Sequence, residues 1–378
     1  MSFLSRLFWP SVYPMNIIRI NKKNILANFD YLQSLQPEAA IFPVLKSNAY
    51  WHWLKQITKI LNRTEAEYLI VDSYPEYLIV KKYSRKPILL LWETLLENYR
   101  NFDFKKVTFC VYNLHTLKYL WETEKDIKIH IFLNTWMNRE WIDEENLTKF
   151  LDLLKHLPNI QVTWIMSHLH SADEYWTDSI TRQSELFKKM YYEVLKYWHA
   201  PLRRHIGNTA WLLKIKDDFF NAYRPWLWLY GYNPLASSDT ESKIWNKLKP
   251  ALSITSRIVG LHNVGYNEWV SYNLTWKNYD TTQRIAVVPF GYAEWLSRNT
   301  SDKIYFRIWR KYFRQVWTIC MNLCSCQIDH STKIWDEIEI ISESSESKNS
   351  MKNLADQSQT IVYENLVRLD KNIRRETI

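Results

Sequence analysis

Apolar, β-prone runs recur along the first two thirds of the chain, each bounded by polar stretches. They are AIFPVL (core at 41–45), EYLIV (67–71), PILLLW (87–92), VTFCVY (107–112), IKIHIFL (127–133), IQVTWIM (160–166), RRHIG (203–207) and LWLYG (227–231). Between them lie segments such as DSITRQSELFKKMYYEVLKYW, whose apolar positions repeat every three or four residues and so predict amphipathic helices. Short, fully apolar strands interleaved with helices predict a parallel sheet covered on both faces. Eight such strands over roughly 220 residues predict a (β/α)8 barrel of the TIM type.

Beyond about residue 243 the pattern changes. Alternating runs such as ITSRIVGLHNV, QRIAVVPF, KIYFRIW and EIEIIS follow one another without long helical stretches, which predicts a smaller, mostly β domain. The expected organisation is an N-terminal extension over 1–14, a barrel over 15–243 and a C-terminal β domain over 244–378. The polar segment SESSESKNS (342–350) predicts a surface loop.

Composition alters the picture at one point. The chain has 20 Trp and only 5 Gly in 378 residues, where average usage gives about 26 Gly. Turns and close backbone approaches normally draw on glycine. The other bounds are ordinary. No apolar run reaches the roughly 18 residues of a membrane span, and the segment before Met15 is too short for a secretory signal. Four Cys suit a reducing cytoplasm rather than a disulfide framework. A net charge of +9 favours anionic small ligands. No recognised nucleic-acid module accompanies the aromatic residues, so no nucleic-acid or membrane partner is expected. Cys320, Cys324, Cys326 and His330 are too irregularly spaced for a zinc site, and no metal is expected.

In a barrel of this kind chemistry collects at the C-terminal ends of the strands. Lys46 ends the first strand, Asn134 and Arg139 follow the fifth, and His168 follows the sixth. Asn208 and Thr209 follow the seventh, and Arg224, Pro225 and Trp226 lead into the eighth. A lysine on that rim, its ammonium pKa depressed, can act as a Schiff-base nucleophile.

Motifs in order along the whole chain sharpen this. LKSNAYWHW, NTWMNREWI, MSHLHSADE, RHIGNTA, YRPWLWLYGYNP, WVSYNLTW, VVPFGYAEWLSR and VWTICMN together resemble the alanine racemase family, pyridoxal-phosphate enzymes of fold type III. LKSNAYWHW, for example, resembles a lysine motif K-A-N-A-Y-G-H-G. The resemblance implies interconversion of L- and D-alanine for peptidoglycan, with alanine as substrate, pyridoxal 5′-phosphate as cofactor and a homodimer with shared sites. A broader amino-acid racemase and a non-catalytic pyridoxal-phosphate-binding relative are the alternatives. It further implies that Lys46 carries the cofactor and moves the α-proton on one face, with Tyr272 acting on the other. Arg224 would meet the pyridine nitrogen, supported by His168. Tyr50, Asn208, Thr209, the backbone at Trp226 and Leu227, and Lys371 would hold the phosphate. Arg139 and the backbone of Met321 would take the substrate carboxylate, with Tyr292 closing the pocket.

Three departures accompany the resemblance. Asn134 replaces an Asp, Phe132 stands where some members have a carbamylated lysine, and Lys371 with Asn372 replaces a Tyr-Arg pair. A fourth is systematic. Twelve positions where the motifs or their flanks lead to an expectation of glycine carry Trp instead: 51, 53, 136, 141, 164, 226, 228, 269, 295, 309, 317 and 335. Exchanging them would bring 20 Trp and 5 Gly to about 8 and about 17, near ordinary usage. The expectation is a UGA codon meaning glycine, rendered as tryptophan.

Overall fold

The computed structural model describes residues 13–139, 141–171, 178–197, 203–207, 217–233, 235, 247–270, 272, 276–280 and 282–378. Two compact units emerge, one spanning Lys23–Lys249 and the other Pro250–Ile378 together with the chain up to Lys22.

The first unit is the expected barrel. Strands β3 (Leu69–Val71), β4 (Ile88–Leu90), β5 (Val107–Val111), β6 (Ile127–Phe132), β7 (Ile160–Met166) and β8 (Arg203–His205) form a parallel sheet in sequence order. β3, β4 and β5 are buried at every residue, as a sheet covered on both faces requires. Strand β2 (Ala40–Ile41) pairs in parallel with β9 (Ala222–Tyr223). Val44 bridges to Ile70, and the Asn221 amide donates to the Arg204 carbonyl at 3.1 Å, so the eight strands close into a ring. Helices such as Glu144–Lys155 cover it through Leu147, Phe150, Leu151 and Leu154.

One strand differs from expectation. The apolar run 227–231 is not the eighth strand, which lies earlier at Ala222–Tyr223. Leu227–Tyr230 forms a buried 3-10 turn ended by Gly231 at φ 85°. An apolar run alone does not separate a buried strand from a buried turn.

The second unit is a nine-stranded sheet that includes β10 (Leu252–Arg257), β11 (Gly260–Gly265), β12 (Thr282–Val288), β13 (Tyr305–Ile308), β14 (Lys311–Val316), β15 (Cys324–Ile328), β16 (Glu337–Ile341) and β17 (Arg374–Thr377). Residues 15–22, expected with the barrel, belong here. β1 (Ile17–Ile20) lies antiparallel to β10 and parallel to β17, burying Ile18 and Ile20. The segment 342–350 is a turn-rich surface loop, as expected, with residues 344–346 and 348 exposed, but part of it is tucked inward. Ser342, Ser347, Asn349 and Ser350 are buried, because each finds hydrogen-bond partners. Asn349 donates to the Glu339 carbonyl at 3.0 Å, and Ser350 caps helix Met351–Gln357 by accepting from the Asn353 amide.

The backbone is left-handed at Trp51, Trp53, Trp136, Trp295, Trp309, Trp317 and Trp335, with φ between 58° and 136°. A bulky residue held there costs roughly 1–3 kcal/mol. Seven such costs rival the roughly 5–15 kcal/mol that keep a domain folded. Trp226, at φ −111°, is not in this region.

Candidate active site

Lys46 leaves the barrel at the end of the first strand run, where the backbone turns left-handed from Ser47 to Trp51 (φ 50–61°). That turn is tied down on several sides. The Ala49 amide donates to the Leu45 carbonyl at 2.8 Å and the Trp51 amide to that of Ser47 at 3.1 Å. The Asn48 amide donates to Glu76 Oε1 at 2.8 Å, while Asn48 Oδ1 accepts from the Leu54 amide at 2.9 Å. Burial, reinforced by Asp72, pushes the Glu76 carboxyl up to about 7. His52 Nδ1 lies 2.9 Å from the Tyr50 carbonyl, and its ring stacks on Tyr230 with centroids 4.4 Å apart. Tyr50 is buried against the same tyrosine.

Arg224 follows β9 directly and is buried. Its Nη2 donates to the Ser167 carbonyl at 2.7 Å, to the Ile206 carbonyl at 3.2 Å and to His168 Nδ1 at 3.3 Å. Its Nη1 donates to the carbonyl and to Nδ1 of His205. His205 Nε2 in turn lies 3.1 Å from His130 Nδ1. Among the described residues no carboxylate pairs with this guanidinium, and burial pushes its pKa down to about 10. Burial and the charges of Arg224, Lys46 and Arg139 hold His168 well below the ordinary imidazole range. His168 is therefore neutral and accepts from Arg224. Three cations thus act on one buried ring, a field suited to anionic ligands.

Lys46 Nζ lies 4.7 Å from the centroid of the Trp226 indole. His168 stacks on the same indole at 4.9 Å, with 4° between the planes. The Arg139 guanidinium sits over the rings of Trp92 and Trp141, at 5.1 and 5.3 Å. Phe132 packs on Trp141 with centroids 4.9 Å apart. Leu227 is buried at the start of the 3-10 turn. Asn208 and Thr209 lie outside the described residues.

In the second unit, Tyr272, Tyr292 and Met321 line one open cavity of about 950 Å³ with Arg298, Trp317 and Asn322. Each of the three named first is substantially exposed. The Trp317 indole N–H donates to the Tyr272 carbonyl at 2.6 Å. The Tyr292 amide donates to the Cys320 carbonyl and the Ala293 amide to that of Met321. Gly291 makes this close approach feasible, since a Cβ there would come within 2.3 Å of both carbonyl oxygens. Lys371 lies in the turn before β17, and it is not among the residues lining that cavity. Among the described residues no three His, Cys, Asp or Glu side chains converge on a metal site.

The reading of motifs missed Glu76, Tyr230, His205 and His130 as parts of this arrangement. His205 lay inside RHIGNTA and Tyr230 inside YRPWLWLYGYNP, as His52 did inside LKSNAYWHW, so the motifs carried a signal for them; Glu76 and His130 lie outside every motif and are fixed by tertiary contacts alone.

The chain matches the alanine racemase N-terminal domain over residues 20–234 and the C-terminal domain over 251–377. It is 28% identical to the alanine racemase of Clostridium novyi over 366 residues, covering 94% of this chain and 93% of that protein. The crystal structure of alanine racemase from D-cycloserine-producing Streptomyces lavendulae superposes with a TM-score of 0.88 at 21% identity, covering 97% and 98% of the two chains. That of Bacillus anthracis with bound L-Ala-P gives 0.86 at 24% identity, covering 98% and 96%. With both domain patterns matched along nearly its whole length, the chain belongs to the alanine racemase family.

Proposed function

We propose that this chain is a pyridoxal-phosphate-dependent racemase that interconverts L- and D-alanine and so supplies D-alanine for peptidoglycan. The observation that carries the reading is the rim where Arg224 donates to His168 at 3.3 Å and where His168 and the Lys46 ammonium both lie against the ring of residue 226. That donor set fits pyridoxal phosphate. It offers an amine for covalent attachment, a carboxylate-free arginine for the ring nitrogen and excess positive charge for phosphate and substrate carboxylate. The indole of Trp226 does not fit, because it occupies the space beside Lys46 and His168.

When bound, the cofactor supplies an electron sink for loss of the α-proton. The rest falls to the chain. Lys46 holds the cofactor and moves a proton at the substrate Cα on one face, and Tyr272 does so on the other. Racemisation needs both, since one face loses the proton that the other gains. Arg224, held by His168 and His205, would meet the ring nitrogen and discourage protonation there. Tyr50, Asn208, Thr209 and the backbone at 226 and 227 would hold the phosphate, with Lys371 adding charge. Arg139 and the backbone of Met321 orient the carboxylate, and Tyr292 limits the pocket.

The protein works in the cytoplasm as a homodimer in which Tyr272, Tyr292 and Met321 serve the partner's barrel. The exposure of all three supports this. Twelve positions of expected glycine carry Trp, so the chain is tested with glycine there as well as with tryptophan. A non-catalytic relative is the second reading, favoured by the Trp226 indole. The deciding experiment follows D-alanine formation from L-alanine with added pyridoxal phosphate, using the chain with glycine at those positions. Absence of D-alanine overturns the racemase reading.

A further inference from the structure

Glycine and tryptophan have exchanged roles in this backbone. Of the five glycines only Gly231 has a left-handed φ, whereas among the described residues seven of the sixteen left-handed non-glycine positions are tryptophan. A non-glycine residue adopts this region in a few per cent of cases, chiefly as Asn or Asp. All seven belong to the twelve positions where motifs lead to an expectation of glycine. Trp92, Trp121 and Trp276, which lie outside that set, have ordinary backbone.

The local geometry asks for glycine at these places on its own terms. Trp309 and Arg310 form the two-residue loop between β13 and β14, closed by the pair Ile308 and Lys311. A hairpin loop with positive φ at its first residue takes glycine there. Trp335 is the third residue of a turn in which the Asp336 amide donates to the Lys333 carbonyl at 3.2 Å, with φ 73°. Such a turn demands glycine at that place. Trp226 joins the set for a different reason: its flat ring lies parallel to His168 and under the Lys46 ammonium.

The geometry points to a recoded residue. Positions 51, 53, 136, 226, 295, 309, 317 and 335 are glycine in the protein that works in the cell, because the codon at each is UGA and the source organism reads it as glycine. The space now filled by the indole of residue 226 is then the seat of the cofactor ring. This last part rests on the cofactor-dependent reading above; the seven left-handed positions do not.

The test has two arms. Peptides from the protein purified from its source cells are weighed by mass spectrometry across the eight positions, and the gene is sequenced there. Glycine masses with UGA codons, alongside tryptophan with UGG at 92, 121 and 276, support the proposal. Tryptophan masses or UGG codons at the eight positions overturn it. In the second arm, the chain as written and the chain with glycine at all eight positions are mixed with pyridoxal phosphate and gel-filtered. A visible absorption band that stays with the glycine chain alone supports the seat at 226. Glycine masses without cofactor retention would keep the recoding and overturn the seat and the cofactor-dependent reading together.

Discussion

The indole of Trp226 lies nearly parallel to the imidazole of His168, stacked with centroids 4.9 Å apart, and Lys46 Nζ reaches the same indole at 4.7 Å. A side chain thus occupies the place where a flat ligand would meet the lysine. Trp226→Gly should convert a chain that retains no pyridoxal phosphate into one that does. Borohydride reduction should then fix the label on Lys46, and recovery of it on another lysine would refute that assignment.

Tyr272→Phe, in the glycine-containing chain, removes one of two proton-transfer groups. It should slow racemisation in both directions by about 10²–10⁴-fold while leaving cofactor absorbance intact. Full activity in this variant would remove Tyr272 from the mechanism.

Sharing of sites between subunits has its own signature. Lys46→Ala and Tyr272→Phe chains are each expected to be inactive. Co-refolded together, they should recover roughly a quarter of wild-type activity, because half the dimers are hybrids with one intact site of two. No recovery on mixing would place Lys46 and Tyr272 of one site on the same subunit.

Arg224 is surrounded by acceptors rather than carboxylates. Arg224→Leu would leave the carbonyls of Ser167, Ile206 and His205 without its donors. A loss on the order of 3 kcal/mol is expected from such unsatisfied groups, measured as a shift in urea midpoint. An unchanged midpoint would show that the network is dispensable for folding.

Glu76 fastens the turn after Lys46, and its carboxyl titrates at about 7 in the folded chain against an ordinary 4.5. The folded state therefore holds a proton that the unfolded state has released. This contribution to stability is complete below pH 4.5 and is lost as pH rises through about 7. Glu76→Gln keeps an acceptor for the Asn48 amide and should flatten that decline in urea midpoints. A slope identical to the parent's would exclude Glu76 as its source.

The exposed tryptophans offer an inverted stability test. Trp309 and Trp335 are 79% and 57% exposed at left-handed φ. Trp309→Gly and Trp335→Gly should each raise the thermal midpoint, by an amount equivalent to roughly 1 kcal/mol. In ordinary backbone the same exchange would lower it.

Much of the barrel was legible because β3 to β7 are short apolar runs between helical segments, a pattern that leaves a two-faced parallel sheet as the natural solution. Lys46, His168 and Arg224 were singled out because barrel chemistry follows strand ends, and the structure brings His168 onto both Arg224 and the ring beside Lys46. The eighth strand was misplaced because Leu227–Tyr230 is as apolar as a strand and more so than Ala222–Tyr223. β1 was misassigned because IIRI alternates correctly for any sheet, and its partners Thr255 and Arg374 are more than 230 residues away. The buried serines of 342–350 were invisible for a related reason, since polarity alone does not show whether hydrogen-bond partners await.

The pairing of β1 with β17 has a consequence for biosynthesis. Strand β1 is flanked on one side by β17, which follows it more than 350 residues later in the chain. On the ribosome the Lys23–Lys249 unit can therefore reach its native state while Ile17–Ile20 still lacks a neighbour. An apolar strand edge left waiting in this way is prone to pair with another chain. Completion of the sheet thus waits for synthesis of β17, and pulse-labelled hydrogen exchange should find barrel amides protected before those of β1.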